Sequence, residues 1–213
     1  MSDRAGLLLL GVVLVVLGLS AIGANQPDIW ALEVAPVGIG AVIILATWRR
    51  FRLTALLCWL LAVHSLILIY GGHYTYAEVP LGFWIQDTFD MARNPYDRIG
   101  HLAQGFIPAI LTREVLLRTS PLRPGKWLFV LCTSVALAFS AFYELIEWWV
   151  AVFSADGSPE FLGTQGDVWD TQWDMFLALL GAMSAQLLLG RVHDRQLENR
   201  SLEKPCANAD SAT

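Results

Sequence analysis

Charge is scarce in this chain. Only 15% of its 213 residues are Asp, Glu, Lys or Arg, against about 25% in a soluble domain. The basic residues are outnumbered by acids, giving a formal net charge of −5, so no general electrostatic attraction to nucleic acid exists. Cysteine is also rare: Cys58, Cys132 and Cys206 stand far apart, with no CxxC pair and no disulfide framework. There is no HExxH signature, no phosphate-binding glycine loop, no internal repeat and no low-complexity tract. What fills the space is hydrocarbon, with 55% hydrophobic residues and a mean hydropathy of +0.51. The composition excludes a disordered or soluble chain and points to a polytopic membrane protein.

A bilayer crossing takes about 20 mostly apolar residues. Six segments are read as spans: Ala5–Ala24, Trp30–Trp48, Leu53–Gly72, Ile99–Leu117, Trp127–Phe153 and Gln172–Gly190. The fourth is the least apolar, carrying His101, Gln104, Arg113 and Glu114. Ser20 to Ala24 superficially resembles a signal-peptidase site, but the n-region is weak and the first span is expected to be retained. All of the 14 Lys and Arg residues except Arg93 and Arg98 fall on one side of this division. By the positive-inside rule that side is cytoplasmic, and both termini lie there. The expected fold is an all-α, six-helix transmembrane bundle over residues 1–195, followed by a disordered cytoplasmic tail at 196–213. The expected location is the bacterial cytoplasmic (inner) membrane, multi-pass. The external connection His73 to Asp97 holds Trp84, Ile85 and Phe89, and predicts a short interfacial helix limited by Pro80 and Pro95.

With the orientation set, depth follows for each polar residue. Asp97, Arg98 and His101 fall at the outer end of span four, Glu144 and Glu147 in the outer half of span five, and Asp167, Asp170 and Asp174 at the outer entrance of span six. Residues three or four apart share a helix face, so Asp97 with His101, Glu144 with Glu147, and Asp170 with Asp174 can each point inward. They must, because a charge at mid-bilayer costs about 2.5–3.5 kcal/mol even on the lenient insertion scale. Two carboxylates three residues apart cannot both stay ionised there without a proton or a cation. Arg98, a protonated His101 or a divalent metal are the cations at hand, and His101, Glu144, Glu147 and Asp170 are the candidate metal ligands. The plain structural alternative is an ion-pair knot joining Arg98 to Glu144 or Asp170. His64 reads as a core histidine, His193 as solvent-facing, and Gly163 and Gly166 as turn residues before span six.

Three strings carry a resemblance: NPYDRIGHLAQGFIPAILTREVLLR (Asn94 to Arg118), AFYELIEWW (Ala141 to Trp149) and GTQGDVWDTQWDM (Gly163 to Met175). With HYTYAEVPLG (His73 to Gly82) they resemble the YjdF-like family of bacterial inner-membrane proteins, over roughly spans three to six. More distantly, the order DRxxH, ExxE and DxxDxxxD is similar to VanZ-like proteins, which implies a site at Asp97, Arg98, His101, Glu144, Glu147, Asp167, Asp170 and Asp174. Arg98 stands where those proteins carry Lys, and Glu147 where they carry Gln. The resemblance implies a fold and a site location, not a reaction.

Three functions fit this pattern. One is an enzyme acting from the periplasmic side on a lipid or cell-envelope intermediate, with His101 and Glu144 or Glu147 as acid and base and Arg98 holding an anionic group. A second is a noncatalytic membrane scaffold held by a salt-bridge network. A third is a proton- or metal-coupled carrier, which the nearly pure hydrocarbon of the inner half-spans disfavours. The expected partners are the lipid bilayer and a lipid or envelope-precursor ligand, with no nucleic acid. No cofactor is specified beyond a divalent metal as candidate.

Overall fold

The computed structural model describes residues 2–153 and 164–203. These residues are all-helical: seven α-helices and one 3-10 turn, with no strand among them. In chain order they are α1 (Asp3–Ser20), α2 (Pro27–Thr47), α3 (Ala55–Tyr74), the 3-10 turn (Tyr76–Glu78), α4 (Pro80–Phe89), α5 (Tyr96–Thr119), α6 (Lys126–Phe153) and α7 (Asp170–Glu203). Five of them, α1, α2, α3, α6 and α7, are long and apolar enough to cross a membrane. The expected interfacial segment is α4, with Pro80 at its first position. Its Phe83, Trp84 and Phe89 are exposed.

Local signals explain the ends. Ser2 and Thr54 cap α1 and α3, their side-chain oxygens accepting from Ala5 N at 3.3 Å and Leu57 N at 3.3 Å. Helix α7 runs past the expected end of its span, to Glu203. The tail expected from Gln196 is therefore helical through Glu203, and residues 204–213, with Cys206, lie outside the described residues. The Gln196 side chain accepts from Leu56 N at 3.0 Å, which ties this extension to the start of α3.

Two helices form the centre. α5 and α7 pack at backbone contact because each puts a glycine at the crossing: a Cβ on Gly105 would stand 1.9 Å from the Ala178 carbonyl oxygen, and one on Gly181 2.2 Å from that of Leu102. Ala178, Ala182 and Ala185 are fully buried along the same seam. Below it, Leu57, Ile110 and Ala136 join α3, α5 and α6 in a hydrophobic core. A second core, Val13, Val34, Val37, Ala62 and Ile69, holds α1 and α2 to α3. The outward faces stay apolar, with Leu8, Val15, Val42, Phe139 and Leu187 exposed, as hydrocarbon solvent allows.

Candidate functional site

Close approach of α5 and α7 sets the polar residues. Asp97 and His101 lie two turns and one turn before Gly105 on α5, and Asp170 and Asp174 precede Ala178 on α7, so both stripes meet at the same end of the seam. The last turns of α6 bring Glu144 and Glu147 to them. All six are buried: Asp97 8%, His101 4%, Glu144 9%, Glu147 8%, Asp170 4% and Asp174 2% exposed.

His101 is the hub. Its Nε2 is 3.6 Å from Asp97 Oδ1 and 3.5 Å from Glu144 Oε1. Asp97, His101 and Asp174 each bring a ligand atom within 4.8 Å of the other two, and so do His101, Glu144 and Glu147. Several of these atoms make no hydrogen bond: His101 Nδ1, Glu144 Oε1 and Asp174 Oδ1 are buried and unpartnered. Of the four residues expected to hold a metal, three share one group. Asp170 does not join it, because Arg93 takes its Oδ1. Asp97 and Asp174 form a second group with His101.

Arg93 was not expected at the site. It pairs with Asp170 and lies 3.7 Å from Asp97 and 3.9 Å from Asp167. Arg98 turns instead to Asp167 at 2.7 Å, with Trp173 beneath its guanidinium at 5.6 Å. The knot of Arg98 with Glu144 or Asp170 does not form. Asp167 also accepts from Trp169 N at 2.9 Å, closing the turn before α7; Gly163 lies outside the described residues. Spacing along α5 could not reveal Arg93, since it sits in a loop and reaches the site by docking rather than by helical register.

Glu33 was missed for a related reason. It stands on α2, far from the motif strings, yet is only 6% exposed and accepts from Tyr143 Oη at 3.3 Å. Tyr143 therefore serves α2 rather than the Glu147 stripe on its own helix. Tyr76 packs beside Gly71 and Gly100; burial, then the nearby Glu33, hold its hydroxyl well above the ordinary tyrosine range.

A second polar cluster occupies the other end of α5. Glu114 accepts from Thr54 N at 3.0 Å, Thr54 Oγ1 at 2.7 Å, Arg118 at 2.8 Å and His193 Nε2 at 3.1 Å. Arginine can only donate, so Arg113 at 2.9 Å makes His193 Nδ1 an acceptor and puts the ring proton on Nε2. Asp194 completes the set with Arg113 at 2.7 Å. His193 is thus fully buried rather than solvent-facing, because α7 carries its inward face one turn beyond the apolar run. Glu114, His193 and Thr54 leave no side-chain nitrogen or oxygen unpaired. The two ends differ in kind: one is a closed network, while in the other Arg93 and Arg98 pair with Asp170 and Asp167 and buried atoms of His101, Glu144 and Asp174 make no hydrogen bond.

Comparison with known proteins accords with this picture. A family model described as "Predicted membrane protein (DUF2238)" matches residues 5–195. The chain belongs to this family. A relative named "Inner membrane protein YjdF", from Escherichia coli (strain K12), is 50% identical over 183 residues, covering 86% of this chain and 88% of that protein. No solved structure matches. This member of the family is a multi-pass inner-membrane protein, and the comparisons lend no support to the more distant VanZ-like resemblance. The groove of about 640 Å³ between α1 and α3, lined by Leu66, Tyr70 and His73 among others, lies away from the His101 cluster.

Proposed function

We propose that the protein is a membrane-embedded enzyme acting at headgroup depth on the periplasmic side, on a lipid or cell-envelope intermediate. The observation that carries this reading is the contrast between the two polar clusters. A structural knot satisfies its members, as the Glu114 network does; the His101 cluster keeps buried donors and acceptors unpaired. Such groups cost about 1–3 kcal/mol each, a penalty that a purely structural device has no reason to carry.

In this reading α5 is a sixth span, and both termini are cytoplasmic. Its 24 residues rise about 36 Å at about 1.5 Å each, enough for a hydrocarbon core of about 30 Å. Its charged residues lower its hydropathy, but Asp97, His101, Arg113 and Glu114 all face protein. The concentration of basic residues at the connections on the Glu114 side puts that side in the cytoplasm. The His101 cluster then opens toward the periplasm, with exposed Trp84 and Phe89 of α4 at the interface beside it.

The roles follow from position. His101 and Glu144 are the acid–base pair, with Glu147 behind them. Arg98 keeps one buried donor, its Nε, unpartnered, which suits it to hold a phosphate or carboxylate of the substrate. Asp97, Asp167, Asp170 and Asp174 set the field around these groups and orient the arginines. The test is a deletion strain complemented with wild-type protein, His101→Ala or Glu144→Gln, followed by profiling of lipids and envelope precursors. Restoration of the profile by the wild type alone is expected. Variants that fold and restore it fully would overturn the reading. So would a deletion strain whose profile equals the parent's.

A scaffold reading draws on the ion pairs of Arg93 with Asp170 and Arg98 with Asp167. It predicts that the exchange Arg98→Asp with Asp167→Arg restores function, which anion binding by Arg98 would not tolerate.

A further inference from the structure

The separations around His101 have a specific meaning. Its Nε2 stands 3.6 Å from Asp97 Oδ1 and 3.5 Å from Glu144 Oε1. These are beyond hydrogen-bond length, about 2.7–3.2 Å, although all three side chains are buried and nothing larger than a proton is needed to join them. Two ligands on one tetrahedral ion, each about 2.0–2.2 Å from it, lie about 3.3–3.6 Å apart. The gap between His101 and Asp97 is of that size.

The remaining geometry agrees. Asp174 brings an oxygen into the same group, with Asp97 and His101, within 4.8 Å. Asp174 is 2% exposed with Oδ1 unpartnered, and the Glu144 oxygen that faces Nε2 is also unpartnered. Asp97 divides its carboxylate, Oδ1 to His101 and Oδ2 to Arg93 at 3.7 Å. Arg93 itself closes on Asp170, so the cluster's own arginine is turned to the far side of Asp97. Two buried carboxylates and an imidazole thus lie within 4.8 Å of one another, and Glu144 approaches the same imidazole nitrogen from α6.

We infer that Asp97, His101 and Asp174 form a binding site for one divalent metal ion, with Glu144 and Glu147 as adjacent acids. One imidazole nitrogen and two carboxylate oxygens suit zinc, manganese(II) or iron(II), leave a coordination position open, and are too poor in sulfur for copper(I). The ligands come from two helices, two on α5 and one on α7, so an ion locks the α5–α7 seam, with Glu144 of α6 beside His101. Asp170, held by Arg93, is not a ligand. With the ion bound His101 is a ligand, so the acid–base role assigned above passes to Glu144. With an ion in place, a bound water made acidic by the metal would supply a hydrolytic nucleophile at that depth.

The test uses the full chain in detergent, stripped with chelator and then loaded separately with Zn²⁺, Mn²⁺ or Fe²⁺. Elemental analysis after gel filtration reads the outcome. One ion per chain is expected for at least one of the three metals, with a rise in Tm on loading. His101→Ala and Asp174→Asn should lose the ion, while Asp170→Asn, which breaks only the Arg93 pair, should keep it. Each variant must show wild-type helix content; if His101→Ala does not, Asp174→Asn decides. No uptake of any of the three ions by the wild type overturns the inference, as does full stoichiometry in folded His101→Ala or Asp174→Asn. Absence of metal leaves the acid–base reading standing, and bound metal with an unaltered envelope profile in the deletion strain defeats that reading but not this one.

Discussion

Asn94 and Gln165 hold each other by two hydrogen bonds: Asn94 N donates to Gln165 Oε1 at 3.1 Å, and Gln165 Nε2 donates to Asn94 O at 3.0 Å. The Asn94 side chain meanwhile accepts from Tyr96 N at 3.0 Å and donates to Val79 O at 3.0 Å. It fills the space against Gly82, where a Cβ would come 1.7 Å from its oxygen. The loop before α5 and the turn before α7 are thereby clamped, which places Arg93 on Asp170 and Arg98 on Asp167. Gln165→Ala removes both bonds of the clamp and leaves the buried Asn94 N–H and C=O unpaired, at about 1–3 kcal/mol. A lowered Tm in detergent is expected, together with faster hydrogen exchange at residues 164–170. Unchanged exchange there would refute the clamp.

The α5–α7 crossing predicts sharp discrimination between glycines. Gly105→Val drives its side chain into the Ala178 backbone, which cannot yield without separating the helices, and should cost more than about 3 kcal/mol. Gly38→Ala meets nothing within 4 Å and should change stability by less than about 1 kcal/mol, in the stabilising direction. Yield of monodisperse protein and Tm separate the two.

Opposite signs are expected for two glutamate-to-glutamine changes. Glu114→Gln breaks a buried network in which Thr54, Arg118 and His193 all donate to one carboxylate, and should lose about 3 kcal/mol or more. Glu144→Gln, in metal-free protein, replaces a buried acid whose Oε1 has no hydrogen bond, and should be neutral or stabilising while abolishing function. Thermal unfolding of both variants checks the contrast, and equal losses would contradict it.

Orientation has its own measurement. Single cysteines placed at Arg50 and Arg123 in a cysteine-free background should resist membrane-impermeant maleimide in intact cells, while one at Asp87 should react. Labelling of Arg50 from outside would invert the topology and place the His101 cluster on the cytoplasmic face.

The order of amino acids was sufficient for the existence of the helices and for gathering the acids, His101 and Arg98 toward one end. Apolar runs long enough for a bilayer read directly as helices, and three- and four-residue spacings read directly as shared faces. It was sufficient also for α4, a short helix that starts at Pro80 and carries exposed aromatics. It was silent on pairing. Which arginine meets which aspartate depends on how two loops dock, and the Asn94–Gln165 clamp spans 71 residues. Glu33 and His193 likewise became visible only when helix rotation was known, since each turns toward a helix remote in sequence. Hydropathy acts on one segment at a time, so it determines what crosses the membrane; contact chemistry acts between segments, so only the tertiary structure decided that one end closes into a satisfied network and the other leaves buried atoms of His101, Glu144 and Asp174 without hydrogen-bond partners.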